Sequence, residues 1–369
     1  MRKPSVIFLI MLVLVACAPE KAPAIKEVTI GIILPLTGSG SDQGQWVKNG
    51  LELAKEELEQ KEGMKINLVY EDSKGGNPKE AVTAYQAITQ FNKIPAVVTW
   101  GSGVGVALIP LTNNDKIVQM GVATATPKYS TKDDYSFRVF PSADLEGKYN
   151  ANLVYNVLNI KEVAIAHTNN DYGVGEKDAF VQEFEKSGGK IVDVEALNPE
   201  DTDFRTQILK IKELNPPLVF LAVYPKEGVL FLKQSAENAF AAKMFASTAI
   251  VGGDVFKEPA SEGIIISLQK FDAESQDPVI RTFVDGYKAK YGDTPDVYHA
   301  RAYDALHIII DNLKKCTAAI DGTCLKNNLM SMTPYHGTTG DISFNEYGDI
   351  TKAEYNLKTV TNGKLVTLR

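Results

Sequence analysis

The fold is decided by the stretch Ala96–Pro127, AVVTWGSGVGVALIPLTNNDKIVQMGVATATP. Ala96–Trp100 is an apolar strand pattern, and the Gly-rich segment Gly101–Gly105 follows it directly at the start of a predicted helix. Glycines let backbone approach a ligand closely, and a helix start offers unpaired N–H groups and a positive dipole end. Ile117–Ala123 is the next predicted strand, closed by Thr124–Pro127. Two neighbouring strand ends therefore predict a lip that binds an anion such as a carboxylate, although a strand–turn–helix without a ligand has the same pattern.

The N-terminus has the pattern of an export signal. Met1–Lys3 is basic, and Val6–Ala16 is an apolar run too short to span a bilayer as a mature helix. It ends in Leu-Val-Ala-Cys, which matches the bacterial lipobox, although an ordinary signal with a chance cysteine is the alternative. We therefore predict a signal peptide over 1–16, lipidation of Cys17 and a tether over 17–26. The chain is expected outside the cytoplasm, facing the periplasm or the cell exterior, with the lipid as its only membrane attachment.

Composition narrows the function classes. Removal of residues 1–16 changes the formal net charge from −7 to −9, and no basic tract remains, which argues against nucleic-acid binding. The remaining chain of about 350 residues exceeds one typical hydrophobic core, so two lobes are expected.

The cysteines predict a disulfide rather than a metal site. Cys316 and Cys324 are close together in CTAAIDGTC, and outside the cytoplasm a disulfide between them is expected. A metal pair is less favoured, because no histidine or further cysteine is nearby in the sequence. The four histidines form no ligand-spaced cluster, and neither a metal nor a cofactor is predicted; they are His167, His299, His307 and His336.

Two successive runs of alternating strand and helix patterns imply an α/β protein with two Rossmann-like lobes and parallel central sheets. A closed barrel is not favoured, because the alternation of strands and helices is interrupted and begins again near residue 143. Helices after the second run indicate a return to the first lobe. We assign 27–142 plus 270–337 to lobe 1, and 143–269 plus 338–369 to lobe 2. Ligands of such sheets bind beyond the carboxyl ends of the strands.

At this point the chain resembles the leucine/isoleucine/valine-binding protein family, type I periplasmic binding proteins that serve ABC importers. The resemblance covers about residues 27–360. Its markers include IGIILPLTGSGSDQG, YEDSKGGNPKEAV, GSGVG, DYGVGEKDAFVQEFEKSGGKIV, DTDFRTQILKIKELNPPLVFL and GDISFNEYGD. It implies two similar lobes joined by a hinge of three crossovers, which close on a ligand in the cleft between them.

The resemblance also implies binding residues. The serine after the third strand maps to Ser102, and the carboxylate-binding turn after the fourth strand maps to Ala123, Thr124 and Ala125, with alanine where the family usually has threonine. The family's tyrosines map to Tyr172 and Tyr224.

One family residue is replaced. The acid that holds the ligand's ammonium group falls at Thr248, so either another acid supplies the charge or the ligand has no ammonium. The candidate acids are Asp254, Asp144 and Asp171. Aromatic side chains predict either a box for an apolar, flat or cationic group or ordinary interior packing; they are Trp100, Tyr172, Tyr224 and Tyr298.

Two functions fit this sequence. The first is an ABC-importer binding protein for an amino acid of the branched-chain type or a related small carboxylate, with a permease as partner and a monomeric chain. The second is an exported sensor of the same fold that signals to a membrane partner. An enzyme is not expected, because the sequence has no G-x-S-x-G elbow, Walker A or HExxH motif.

Overall fold

The computed structural model describes residues 25–368. Cys17, the predicted signal peptide and most of the predicted tether lie outside the described residues. Within this part of the chain, no helix has the length and apolar character needed to cross a membrane. The same part brings together no group of three or more His, Cys, Asp or Glu side chains suited to a metal ion.

The first lobe is a five-stranded parallel sheet flanked by helices. Its strands are β1 (Glu27–Leu34), β2 (Lys65–Asp72), β3 (Ala96–Trp100), β4 (Val118–Ala123) and β5 (Ser136–Arg138). The helices between them are α1 (Ser41–Glu62), α2 (Pro78–Phe91) and α3 (Ser102–Asp115). The strand order is β2-β1-β3-β4-β5. Apolar strands such as β3 are buried throughout because helices cover both faces of the sheet.

The second lobe repeats this alternation. Its elements up to the second crossover are α4 (Ala143–Asn152), β6 (Glu162–Thr168), α5 (Asp171–Lys186), β7 (Lys190–Leu197), α6 (Arg205–Leu214), β8 (Leu218–Ala222), α7 (Pro225–Glu237), β9 (Lys243–Ala246) and β10 (Ile265–Gln269). A π-helical turn, Leu153–Val157, extends α4. Short 3₁₀ turns occupy Pro127–Tyr129, Thr248–Ile250, Val255–Lys257 and Pro259–Ser261.

The chain then returns to the first lobe and finally to the second. The returning elements are α8 (Pro278–Tyr291), α9 (Val297–Leu313), α10 (Gly322–Met330), β11 (Tyr335–Gly337) and β12 (Gly340–Ile342). Two antiparallel strands, β13 (Tyr355–Thr361) and β14 (Lys364–Thr367), complete the second sheet in the order β14-β13-β10-β9-β8-β6-β7. The predicted α/β fold with two lobes and parallel central sheets is confirmed.

Packing moves one predicted lobe boundary. The prediction placed residues 338–369 in the second lobe, but Ile342 and Ile350 belong to the hydrophobic core of the first lobe. The reason is Asp304 on α9, a buried carboxylate that accepts hydrogen bonds from the backbone N–H groups of Thr338 and Thr339 at 2.8 and 3.2 Å. The third crossover therefore follows Ile350.

Local chemistry determines where α5 begins. The helix starts at Asp171, because the Asn170 side chain caps it by accepting from the Gly173 N–H at 2.9 Å. The short helix α10 was not predicted, since its sequence is largely polar. The predicted disulfide between Cys316 and Cys324 is confirmed, and it closes the loop between α9 and α10.

Candidate ligand site between the lobes

The first wall of the cleft is built where β3 meets α3. Trp100 ends the strand, and Gly101 has a φ of 96°, a conformation that glycine adopts without strain. The helix then begins at Ser102, whose Oγ accepts hydrogen bonds from the N–H groups of Ala125 and Thr126 at 3.2 and 3.1 Å. Because these bonds use only the lone pairs of the oxygen, the Ser102 hydroxyl proton remains free to be donated to an anion.

The neighbouring turn holds this wall in place. The carbonyl of Ala123 accepts from the N–H of Gly101 at 3.2 Å, and the Thr124 hydroxyl donates to the Gly101 carbonyl at 3.4 Å. The structure thus brings together four residues predicted from the sequence, Ser102, Ala123, Thr124 and Ala125. In this arrangement the backbone groups of Ala123 and Ala125 and the hydroxyl of Thr124 contact the β3–α3 turn.

Arg138 is a positioning residue that the sequence-based prediction missed. It lies on β5, is 1% exposed, and its guanidinium donates to the carbonyls of Thr124 and Thr126 at 3.3 and 2.9 Å. Its Nε also donates to Asp349 at 2.6 Å. By holding those carbonyls, Arg138 fixes the orientation of the peptide groups that face Ser102. An arginine within the apolar strand segment SFRVF was the available signal.

Three aromatic rings bridge the cleft. The Trp100 ring of the first lobe is 5.6 Å from that of Tyr224, measured between centroids, and Tyr224 stacks on Tyr172 at 4.9 Å. The Tyr172 hydroxyl shares a 2.5 Å hydrogen bond with Ser247 Oγ. Tyr172 is in the first turn of α5, and Tyr224 is the residue that caps α7. Their rings are therefore held by helix ends.

Tyr298 occupies the first turn of α9 and is fully buried. Its ring packs against Phe140 and Trp46, each at 6.0 Å between centroids, rather than joining the three-ring stack. Burial raises its pKa, and the nearby charge of Glu146 raises it further. Tyr298 therefore lies beside a carboxyl group of the second lobe.

Thr248 does not present its hydroxyl to the cleft. That hydroxyl donates to the Ser267 carbonyl at 3.0 Å and accepts from the Gln269 N–H at 3.3 Å, which ties two strands of the second lobe together. Its backbone N–H donates at 2.7 Å to Oε1 of Glu146, from the first turn of α4. A carboxyl group that the sequence-based prediction missed thus lies directly beside position 248.

The three acids proposed from the sequence are placed differently. Asp254 is exposed and pairs with Lys257 at 2.9 Å, whereas Asp171 pairs with Lys128 at 3.0 Å near the cleft mouth. Asp144 is half-buried and contributes its charge to the surroundings of Glu176. None of the three is buried as Glu146 is.

Glu146 and Glu176 form a buried acidic pair, which we call the carboxyl pair. Their exposures are 1% and 0%. Burial raises the pKa of Glu146 to about 7, against the opposing effect of the Thr248 N–H. Burial also raises the pKa of Glu176, and the charge of Glu146 raises it further. A sequence alone gives little signal for such a pair, since the two acids come from different helices.

A cavity of 390 Å³ opens between the lobes beside the aromatic stack. Both lobes line it, with Trp100 and Ser102 on one side and Asn170, Tyr224 and Glu227 on the other. Glu227 lies in the first turn of α7 and is 2% exposed, and burial raises its pKa to about 7. The volume of this cavity falls in the range of small-molecule sites.

A direct contact between α1 and the second lobe spans the cleft. The Gln43 side chain donates from Nε2 to the carbonyls of Val251 and Ala249 at 2.5 and 3.3 Å. Nearby, the Gly253 N–H donates to the Asp42 carboxylate at 2.8 Å. These bonds hold the two lobes against each other.

Known proteins share this architecture over nearly the whole chain. A family model described as "Periplasmic binding protein" matches residues 27–364. Leu/Ile/Val-binding protein homolog 3 of Brucella melitensis is 25% identical over 94% of this chain and 94% of its own length. The crystal structure of a leucine binding protein from Thermotoga maritima, 25% identical, superposes with a TM-score of 0.86 over 93% of this chain and 98% of that one.

A solute binding protein from R. palustris, solved with benzoate, has the same fold. It is 18% identical, with a TM-score of 0.82 over 93% of this chain and 95% of its own. The two-lobed topology, the serine turn facing the cleft and the family match agree with one another. The chain belongs to the periplasmic binding protein family, and the resemblance to its leucine/isoleucine/valine-binding members is confirmed.

Proposed function

We propose that this chain is the extracytoplasmic substrate-binding protein of an ABC importer and binds an amino acid of the branched-chain type or a related small carboxylate between its lobes. The observation that carries the proposal is the wall around Ser102. There, a hydroxyl with a free proton and a helix N-terminus face the aromatic rings of the other lobe across the cleft. The names of relatives such as the Brucella protein support the same ligand class.

Binding by this wall follows from electrostatics. A ligand carboxylate accepts from the Ser102 hydroxyl and from the N–H groups at the start of α3, where the helix dipole favours negative charge. The Tyr224 hydroxyl faces the Ser102 N–H, so it neighbours the proposed carboxylate position. The apolar part of the ligand lies among the rings of Trp100, Tyr172 and Tyr224. No bond of the ligand changes.

The remaining predicted contacts take specific roles in this proposal. The turn at 123–125 orients the carboxylate through its backbone, and Tyr298 closes the first-lobe side. Thr248 acts indirectly, through the N–H that holds Glu146. Lobe closure buries the ligand and forms the surface that docks on the permease, with the chain acting as a monomer. Cys17 carries the lipid that anchors the protein to the membrane.

A thermal-shift and calorimetry panel of amino acids and small carboxylates tests this function. A bound ligand raises the melting temperature by linkage. We expect Ser102→Ala to weaken binding about tenfold or more, because a hydrogen bond to a charged group is lost. The matched control is Ser331→Ala, at an exposed serine far from the cleft. Unchanged affinity in a folded Ser102→Ala chain would refute the site.

A further inference from the structure

The strongest unexplained feature is the carboxyl pair and its unpartnered acceptors. Glu176 Oε1 accepts from the Asn150 side-chain amide at 3.2 Å. Oε2 of the same carboxyl and Oδ1 of Asn150 are buried and accept no hydrogen bond from any described residue. Both residues are 0% exposed. The Tyr355 hydroxyl is likewise unpartnered among the described residues, and it lies within the field of both glutamates.

Within the part of the chain that the structure describes, no cationic side chain forms an ion pair with this cluster. Among the ion pairs of residues 25–368, none involves Glu146 or Glu176. The titratable groups that face the pair are Asp144 and the hydroxyls of Tyr172, Tyr298 and Tyr355. Arg301 interacts with Tyr355 and Asp304 instead. Burying a carboxylate without a cation is costly, and leaving buried acceptors unsatisfied adds to that cost.

The cluster adjoins the aromatic stack of the cleft. Glu146 accepts the N–H of Thr248, one residue after Ser247, which bonds to the stacked Tyr172. The nearby charge of Glu146 raises the pKa of both Tyr172 and Tyr298. The aromatic stack therefore connects the surroundings of the carboxyl pair, at Tyr172, with Trp100 and the turn that contains Ser102.

We infer that Glu146 and Glu176 form a cation subsite, on α4 and α5 rather than at position 248, that holds the ammonium group of the ligand. The inference rests on the proposed function. An ammonium has three N–H donors and a positive charge, which match the unpartnered oxygens and the missing countercharge. A bound cation favours the ionised carboxylates, so a proton carried by the pair is released on binding.

The test uses pairs of probes that differ only in the ammonium group. Leucine is compared with 4-methylpentanoate, and phenylalanine with 3-phenylpropanoate, by calorimetry on the full chain. We expect at least one amino acid to bind tenfold or more tightly than its partner, and Glu146→Gln to remove that preference. Glu185→Gln, an exposed acid on α5, is the matched control. In wild type at pH 7, amino-acid binding is expected to release a measurable fraction of a proton, seen as a binding enthalpy that depends on the buffer.

The outcomes separate the two proposals. If the carboxylates without an amino group bind as tightly as the amino acids, the cation subsite is refuted while the proposed function stands. A Glu146→Gln chain that keeps the preference also refutes the subsite. If that variant does not fold, the proton release of the wild-type chain decides, and an enthalpy independent of buffer refutes the subsite. Binding of no member of either pair would overturn both the subsite and the proposed branched-chain-type ligand.

Discussion

The two walls of the cleft differ in the polar and charged groups that they contain. The wall of the first lobe contains hydroxyl and N–H donors around Ser102. The wall of the second lobe contains two buried carboxyl groups, Glu146 and Glu176, and among the described residues Oε2 of Glu176 and Oδ1 of Asn150 are unpartnered acceptors. One wall therefore suits an anion, and the other suits a cation.

The walls also differ in how they are stabilised. The first is held by Arg138, whose charge is balanced by Asp349 and whose donors satisfy two carbonyls. The second carries uncompensated acids, and their raised pKa values reflect the cost. We therefore propose that the wall around Ser102, the anion wall, is preformed, whereas the wall at Glu146 and Glu176, the cation wall, is completed by the ligand.

The largest expected effect comes from breaking the anion wall. Arg138→Met leaves Asp349 without its cation and the two carbonyls without donors. We expect the free energy of unfolding to fall by about 3–5 kcal/mol, the usual cost of removing one partner of a buried ion pair. Urea denaturation measures this change. Arg281→Met, in an exposed pair with Asp285, is the control and should change stability by less than about 1 kcal/mol. Equal effects of the two variants would contradict a preformed wall.

We expect the cation wall to make the free energy of unfolding depend on pH. The folded protein holds the Glu146 proton with a pKa of about 7, against an ordinary 4.5, so this group favours folding below pH 4.5. The advantage is lost as pH rises from 4.5 through 7, and the loss amounts to about 3 kcal/mol once the pH exceeds both values. Without added amino acid, we therefore expect wild type to lose stability relative to Glu146→Gln between pH 5 and 8, as measured by urea denaturation.

The quantity to compare is the difference in the free energy of unfolding between wild type and Glu146→Gln at each pH. Burial lowers the pKa of His307 to about 4, which makes stability rise with pH between 4 and 6.5, and Glu227 acts in the same direction as Glu146. Subtracting the variant removes both contributions. Parallel stability curves for wild type and Glu146→Gln would contradict an uncompensated acid in the second wall.

The sequence predicts the first wall better than the second for a physical reason. Ser102 and the turn at 123–125 follow consecutive strands of one parallel sheet, and such strand ends meet at one edge. Glu146 and Glu176 lie within amphipathic helices, where a glutamate ordinarily faces solvent. Their burial depends on how α4 packs on α5, which is tertiary information. Position 248 could be identified, but not the carboxyl group that reaches it from another element.

The smallest expected effect on ligand affinity comes from the hydrogen bonds between α1 and the second lobe. Gln43→Ala removes the bonds from the first lobe to the carbonyls of Val251 and Ala249. A neutral hydrogen bond contributes about 1 kcal/mol, so affinity should fall about fivefold, equally for leucine and 4-methylpentanoate. Gln45→Ala, at an exposed position on the same helix, serves as the control. If Gln43→Ala altered the preference between the two probes, ligand selection would depend on closure as well as on the opposed charges of the walls.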